Sequence, residues 1–489
     1  MRPHSKKVKL VLNSAMGDIG KWQLPTVIMV FIYKLPLAWH TMAVIFLSPA
    51  VKVTCVSPNV TDVCSSECKD YEYDRSVFEE TIQTQWDLIC DKKYLVALAQ
   101  SIVMFGILVG SIVFGIMSDK IGRRIPFCIT VIGLLVTGIL TAYIPWFWLY
   151  NIVRFLNACF IGGGMVVSFV AMMEIVGKPL RPILGITYQM PFWFGHLTLP
   201  GFSYILRDWR HYQMAYSITT AIALPCLFIL YESPRWLFAT GQIEKSVKVL
   251  TIAAKKNKLP TDGLQESIQA AYNKKVSGGP AKKGNVVDLL RTRNLCKNTV
   301  IICYNWLACG MGYYGIAQYV SLFPGDIFTN VAISASFEIP ATLVCAFMTK
   351  YWGRKPTQIF SNMLTGIAMI AVVCIPKMNE GIGRWIAVVL ATIAISGMSM
   401  AFANAYLYAG ELFPTVVRNA GMGSASMIAR IGSILAPFVA TIEYRWVSSL
   451  IFGVVAILAG VLCFFLPETM GQQLPETIED GENFGRKDK

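Results

Sequence analysis

Gly115-Ile116-Met117-Ser118-Asp119-Lys120-Ile121-Gly122-Arg123-Arg124 is a charged, glycine-punctuated loop between two apolar runs, 95–117 and 125–146. Each run has about the ~20 residues that a helix needs to cross a bilayer. A second, degraded copy, Lys350-Tyr351-Trp352-Gly353-Arg354-Lys355-Pro356, sits in the same position between the runs 326–349 and 356–376. The chain therefore reads as duplicated. Tandem repeats of membrane helices are a common way to build a secondary transporter, with the cargo held near the midplane between the halves.

Composition agrees. With 55% hydrophobic and 15% charged residues and a mean hydropathy of +0.52, 489 residues carry too little polar surface for a soluble protein. The net charge of +14 is not a nucleic-acid signature here, because the basic residues flank apolar runs, as inside-facing loops do. The segment 1–21 holds Arg2, Lys6, Lys7, Lys9 and Lys21 against Asp18 and is expected to be cytoplasmic. The first apolar run, 24–48, is too long for a cleavable leader and no small-residue cleavage site follows it, so it is taken as the first span, interrupted by Lys34 and Pro36.

Residues 51–93 form an acidic segment, nine carboxylates against five bases, suited to an outer loop. Four of the thirteen cysteines, Cys55, Cys64, Cys68 and Cys90, cluster there and imply two disulfides in one of three connectivities. Asn59-Val60-Thr61 in the same segment is a glycosylation sequon. Counting the remaining apolar runs gives twelve spans, so the expected fold is an all-α polytopic membrane protein of two six-helix halves, 1–231 and 295–467. A basic linker, 232–294, joins them on the cytoplasmic side, with helical spacing over 243–256 and 264–273 and a break at Ser277-Gly278-Gly279-Pro280. A cytoplasmic tail, 468–489, completes the chain, and both termini are expected inside.

The loop Gly115 to Arg124, Arg154-Phe155, Glu232-Ser233-Pro234-Arg235-Trp236-Leu237, the stretch Glu411 to Asn419 and Pro467-Glu468-Thr469-Met470-Gly471 together resemble the signature loops of the major facilitator superfamily. Gln85-Trp86-Asp87-Leu88-Ile89-Cys90-Asp91 and the tail Leu474 to Asp480 more narrowly resemble the organic ion transporters, which comprise cation, anion and carnitine or zwitterion carriers. The resemblance implies the major facilitator fold, a small organic ion as cargo and a plasma-membrane location. Sugar porters share the charged loops but not the cysteine-bearing outer segment.

Asp119 can accept from arginine and helix-end N–H groups, Arg123 and Arg124 can bond carboxylates and helix-end carbonyls, and Gly115 and Gly122 permit close approach and a tight turn. The expectation is a cytoplasmic gate that holds the halves together in one conformation, with Gly353, Arg354 and Lys355 as its second copy. The resemblance adds Glu174, Glu232, Arg235, Glu411 and Arg418 to it.

Arg430 lies near the middle of the eleventh run and Glu338 near the middle of the eighth. A charge at the centre of a membrane helix costs about 2.5–3.5 kcal/mol on insertion scales, so each is expected to face a wet cavity or a partner, and the two can also pair with each other. In the resembled family, anion and carnitine carriers have Arg at the Arg430 position. Cation and carnitine carriers retain the acid at Glu338, and Thr342 stands where anion carriers typically have Lys. The mixture suggests small organic cations or zwitterions of the carnitine kind, with an organic anion exchanger as the alternative and a sugar-porter-like carrier or a non-transporting receptor behind it. Tyr313, Tyr314, Tyr188, Trp193 and Tyr406 are candidate rings for an ammonium group. Lys34 points the other way, toward anions.

The sequence carries no Walker-type phosphate loop, no cytoplasmic cysteine pair for a metal and four scattered histidines, His4, His40, His196 and His211, so neither an enzyme nor a cofactor is expected. Gradients must drive transport, with Na⁺ or H⁺ open as coupling ion. A potential of 100 mV is worth about 2.3 kcal/mol per charge.

Overall fold

The computed structural model describes residues 14, 16–49, 51–57, 63–64, 68, 70–177, 180–261, 263–277, 285–323, 325–375, 381–442 and 444–485. Among these, eleven helices are long and apolar enough to cross a membrane: Gln23–Leu47, Cys90–Ile121, Arg124–Tyr143, Phe147–Ile175, Trp209–Ile229, Arg293–Ser321, Ile327–Tyr351, Arg354–Val373, Gly381–Leu412, Arg418–Ala440 and Arg445–Cys463. The remaining expected run, 182–206, is present in two pieces, Arg181–Thr187 and Met190–Leu206. Pro191 explains the second start: it has no N–H to donate backward and fits the first turn of a new helix. With this broken fifth span the count is twelve, and spans are numbered one to twelve in chain order below.

Span eight is broken too. It consists of Ile327–Ser336 and Glu338–Tyr351, separated at Phe337. Pro340 removes the hydrogen bond that would reach back across this point, leaving Glu338 at the mouth of the second piece. Spans five and eight pack against each other, as do spans two and eleven, and these two contacts join the halves.

Close helix approach within each half depends on missing side chains. A Cβ at Gly110 or Gly162 would collide with the backbone of Cys159 or Ile107, and one at Gly310 or Gly432 with that of Ala429 or Leu307. Lipid offers no hydrophobic drive for association, so these backbone-to-backbone contacts supply the dispersion that holds the helices together.

The two signature loops are built alike. Gly122 and Gly353 both have φ near +100°, 99° and 104°, a region that favours glycine. Arg123 donates twice to Glu174 at 2.9 and 2.8 Å, and Arg354 twice to Glu411 at 2.9 and 2.8 Å. Each arginine also donates to the carbonyl five residues before it, Ser118 or Thr349. The Glu232 carboxylate accepts the N–H groups of Arg123 and Arg124, and Glu468 accepts those of Arg354 and Lys355. Arg124 then reaches the carbonyl of Leu227, and Lys355 that of Phe464. Asp119 pairs with Arg123 at 3.1 Å, Arg235 donates to the Val176 carbonyl, and Arg418 donates to the Phe413 carbonyl. A Cβ at Gly115, by contrast, would meet nothing nearer than Val166 at 4.0 Å, so close approach does not require glycine there.

Among the described residues, every ion pair of the two signature loops lies within one half, so in this conformation, with the cavity open on their face, the loops brace each half separately. Among the described residues, the histidine–carboxylate contact that crosses between the halves is His196 Nδ1 with Glu338 Oε1, at 2.8 Å.

At the opposite face the halves meet tightly. Phe328 of span eight stacks on Phe46 of span one, with centroids 5.7 Å apart, and also touches Phe78 and Tyr204. Ser101 donates to the carbonyl of Ile434, joining spans two and eleven. The cysteine-bearing segment lies on this face as an antiparallel pair of strands, Val53–Ser57 and Asp70–Tyr73, with Thr54 opposite Glu72. Its disulfides are Cys55–Cys68 and Cys64–Cys90, which settles the connectivity. Trp86 of the Gln85-to-Cys90 motif packs on Phe147, Tyr150 and Trp209, while Gln85 accepts from the Trp209 indole. The motif is a strap that fixes this segment to the ends of spans four and six. Asn59 lies outside the described residues.

The first linker helix, Ile243–Lys256, has the expected bounds; the second, Leu264–Ser277, runs four residues past the expected 264–273 and takes in Ser277 of the expected break, whose remaining residues 278–280 lie outside the described residues. Asn257 binds the segment before span one through the Trp22 N–H and the Met16 carbonyl, and Glu482 in the tail accepts the N–H groups of Asn294 and Leu295.

Removing either capping carboxylate strands two backbone donors at a helix start. Glu468→Ala and Glu232→Ala should each lower stability by about 1–3 kcal/mol. Thermal unfolding of the detergent-purified protein is the measurement, and Glu468→Gln should recover part of the loss.

Candidate functional site

A cavity of about 440 Å³ opens between the halves, within the range of small-molecule sites. Its wall takes Lys34 from span one, Tyr188, Gln189, Phe192 and Trp193 from the break in span five, Tyr313 and Tyr314 from span seven, Phe402 and Tyr406 from span ten and Arg430 from span eleven. Ser111, Met165, Phe169, Leu407, Met422 and Arg181 line its depth toward the signature loops. Their position on spans two, four, five, ten and eleven puts the opening on the signature-loop face, while Phe46, Phe78, Phe328 and Tyr204 seal the other.

Each charged group is held differently. The Lys34 ammonium stands 4.0 Å from the centre of the Tyr188 ring and 5.6 Å from that of Phe192. Lys34 is only 3% exposed and forms no ion pair among the described residues, so ring faces are its electrostatic partners. Tyr188 is itself fixed by its hydroxyl, 2.8 Å from Ser168 and 2.9 Å from the Met165 carbonyl. Arg430 donates to the Tyr314 hydroxyl at 3.3 Å, a long bond that leaves most of its donors for the cavity.

Glu338 is elsewhere. It is 0% exposed and is not in the cavity wall. Its carboxylate lies 2.8 Å from His196 Nδ1, accepts from the Tyr313 hydroxyl at 2.9 Å and meets Ser399 Oγ at 3.4 Å. Arg430 and Glu338 therefore do not pair, and they do not face each other across the cavity. Tyr313 stands between: its ring is in the wall and its hydroxyl is on the acid.

Thus Arg430, Lys34, Tyr313, Tyr314, Tyr188, Trp193 and Tyr406 come together, and Glu338 is set one side chain behind them. Sequence reading missed Phe192, Phe402, Gln189, Arg181 and His196. Phe402 lies one turn before Tyr406 on the same helix face, a readable signal. Tyr406 packs edge-on to Trp306 with centroids 4.4 Å apart, and Tyr313 stacks parallel to Phe402 at 6.5 Å, so the aromatic wall continues into the core of its half. His196 gave no signal, because its partner is 142 residues away in sequence. Glu468, the counterpart of Glu232, was legible in the repeat but was not assigned there.

Comparison with known proteins fits this geometry. The sugar (and other) transporter family matches residues 42–480. An organic cation transporter protein of Drosophila melanogaster is 35% identical over 439 residues, covering 88% of this chain and 78% of the relative. Human solute carrier family 22 member 16 is 34% identical, covering 84% of this chain and 72% of its own. Solute carrier family 22 member 6-B of Xenopus laevis is 33% identical, with 88% and 78% covered. Among solved structures, the inward open conformation of the xylose transporter XylE from E. coli superposes with a TM-score of 0.68 at 18% identity, covering 94% of this chain and 99% of that one, a likeness of fold alone. The chain is a multi-pass membrane carrier and not an enzyme, and it belongs to the sugar (and other) transporter family of the major facilitator superfamily and, within it, to the organic ion transporters of solute carrier family 22.

Proposed function

We propose that this carrier moves small organic ions that bear a carboxylate, organic anions first, by alternating access across the plasma membrane. The observation that carries the reading is the charge of the wall: Lys34, Arg430 and Arg181 line the cavity, and among the described residues no carboxylate lines it. In a low-dielectric cleft with two central cations, a bare organic cation would add like charge without a counter-ion. A carboxylate supplies one. It can accept from the free donors of Arg430 and from the Lys34 ammonium together. This moves the weight from cations toward the anion alternative of the sequence reading.

Zwitterions of the carnitine kind are the second reading, favoured by the ring wall. Tyr313, Tyr314, Phe402 and Tyr406 offer faces for a quaternary ammonium, each worth roughly 0.5–2 kcal/mol, while the carboxylate end takes Arg430. The disulfide-bearing segment is assigned to the oxidising outer side, and the basic loops, the linker and both termini to the cytoplasm. The cavity then opens inward.

Uptake by expressing cells of para-aminohippurate, carnitine and tetraethylammonium tests the reading. Saturable, trans-stimulated entry of the first or second is expected, with little of the third; selective entry of tetraethylammonium would overturn it. Arg430→Asp should weaken carboxylate uptake by roughly ten- to a hundredfold, the loss of a charge-assisted bond of about 1.5–3 kcal/mol, at unchanged surface level. Lys34→Met preserves the volume of the stem and should raise KM about tenfold on the same scale. Unaltered kinetics in both variants would remove these residues from the site.

A further inference from the structure

Arg154 of span four is a charged residue of the N-terminal half that takes no part in the cavity wall. It stands about two helical turns in from the outer end of its span, on the face that carries Tyr150 and Asn157. The residue is 2% exposed, and among the described residues it has no ion pair. Its neighbours are His40 of span one, Tyr212 and Tyr216 of span six and Tyr150 on its own helix. His40, Tyr212 and Tyr216 are sealed from solvent. His40 packs edge-on to Tyr216 with centroids 4.7 Å apart, and a Cβ at Gly138 of span three would strike the imidazole, so the missing side chain there makes room for it.

Arg154 Nη1, both ring nitrogens of His40 and the Tyr212 hydroxyl are buried with no hydrogen-bond partner among the described residues. Whichever tautomer His40 takes, it presents one N–H. Three donors from three spans are therefore left over around one guanidinium. Asn157 Oδ1 also lacks a partner and can accept one of these bonds, but a neutral amide cancels no charge. The other polar groups of the cluster are used. Gln213 accepts from the Tyr216 hydroxyl and donates to the Gly138 carbonyl at 3.0 Å, and Asn157 Nδ2 donates to Thr137 Oγ1 at 3.0 Å. At the outer rim, Asp208 caps span six by accepting the Arg210 N–H at 2.7 Å, and the Arg210 side chain donates to the carbonyls of Ala142 and Ile144 and to Gln85.

We propose that Arg154, His40 and Tyr212 form a halide site inside the N-terminal half, held by chloride. A lone guanidinium in a dry bundle is costly unless an opposite charge meets it, and water would satisfy its N–H groups without meeting its charge. A monatomic anion supplies that charge, accepts from several donors at once and brings no hydrogen that needs an acceptor. A carboxylate or sulfate would bring more lone pairs than the three spare donors serve and would need more room in a sealed place. The anion then ties spans one, four and six together at the outer end of the half. It is held and not carried, so the inference goes beyond the substrate reading and does not depend on it.

The test is thermal unfolding of the purified full-length protein in detergent, with sodium chloride titrated against sodium gluconate at constant ionic strength. Chloride should raise the unfolding midpoint with the logarithm of its concentration, by about 2–5 °C at a hundredfold excess over Kd, and bromide should replace it. Arg154→Gln should lose this dependence. Tyr212→Phe removes one donor and no charge; it should need about tenfold more chloride for the same rise, and it serves if the first variant does not fold. Arg430→Gln, which alters the cavity instead, should keep the wild-type response. Equal midpoints in chloride and gluconate for the wild type overturn the proposal, as does a wild-type response in Arg154→Gln or in Tyr212→Phe. A response lost in Arg430→Gln and kept in Arg154→Gln puts the anion in the cavity and overturns it as well. No organic substrate enters the experiment, so failure of the proposed cargo leaves its result unchanged.

Discussion

An ionised group inside a lipid-embedded bundle must meet water, an opposite charge or a ring of oriented dipoles, and this demand shapes the molecule at three depths. At the signature loops the demand is met by arginine–carboxylate pairs and capped helix starts. At the midplane Lys34 is met by the Tyr188 ring, and Arg430 by Tyr314 and the cavity. Between the halves Glu338 is met by a histidine from the opposite half. The aliphatic remainder of each span is ordinary membrane helix.

The duplicated loops show how a repeat can carry a mechanical function without carrying the same sequence. Asp119 has no like residue in Lys350-to-Pro356 and Arg124 is replaced by Lys355, yet the bidentate pair, the glycine with positive φ and the carboxylate over two N–H groups recur with distances that agree within about 0.3 Å for the backbone caps. Rigid halves are what a rocking carrier needs, because motion confined to the interface between spans two and eleven and spans five and eight requires that neither half deform. In this conformation the loops act as braces within each half.

The fold was legible almost wholly from apolar runs and from the doubled loop, because lipid allows few alternatives to helices of one length. The broken fifth span was visible only as Pro191, and the break in span eight only as Pro340; neither proline by itself says that the two breaks pack together. The rings and Arg430 were readable because a charge or a polar aromatic at mid-span is costly and so conspicuous. The separation of Glu338 from the cavity was not readable. Whether a buried acid faces water or a histidine depends on the rotation of two helices about their axes, and hydropathy carries no information on rotation in a bundle that is apolar on both faces. The signature-loop residues were readable from the doubled motif, whereas the partner that each takes in this conformation follows from loop geometry.

The placement of Glu338 also changes how charge selectivity should be understood. A mixed set of one acid and one base suggests two ends of a zwitterion when both are assigned to one cavity. Once the acid is paired behind Tyr313, the same residues describe a cationic binding chamber beside a separate acid–base pair. Tyr313 touches both, so a substrate pressing on its ring bears on the hydroxyl that holds Glu338, and through it on the contact between spans five and eight. Recognition and the contact between the halves then share Tyr313, with Ser399 beside it in the wall and on the same carboxylate, a physical route by which occupancy of the chamber can influence which face is open.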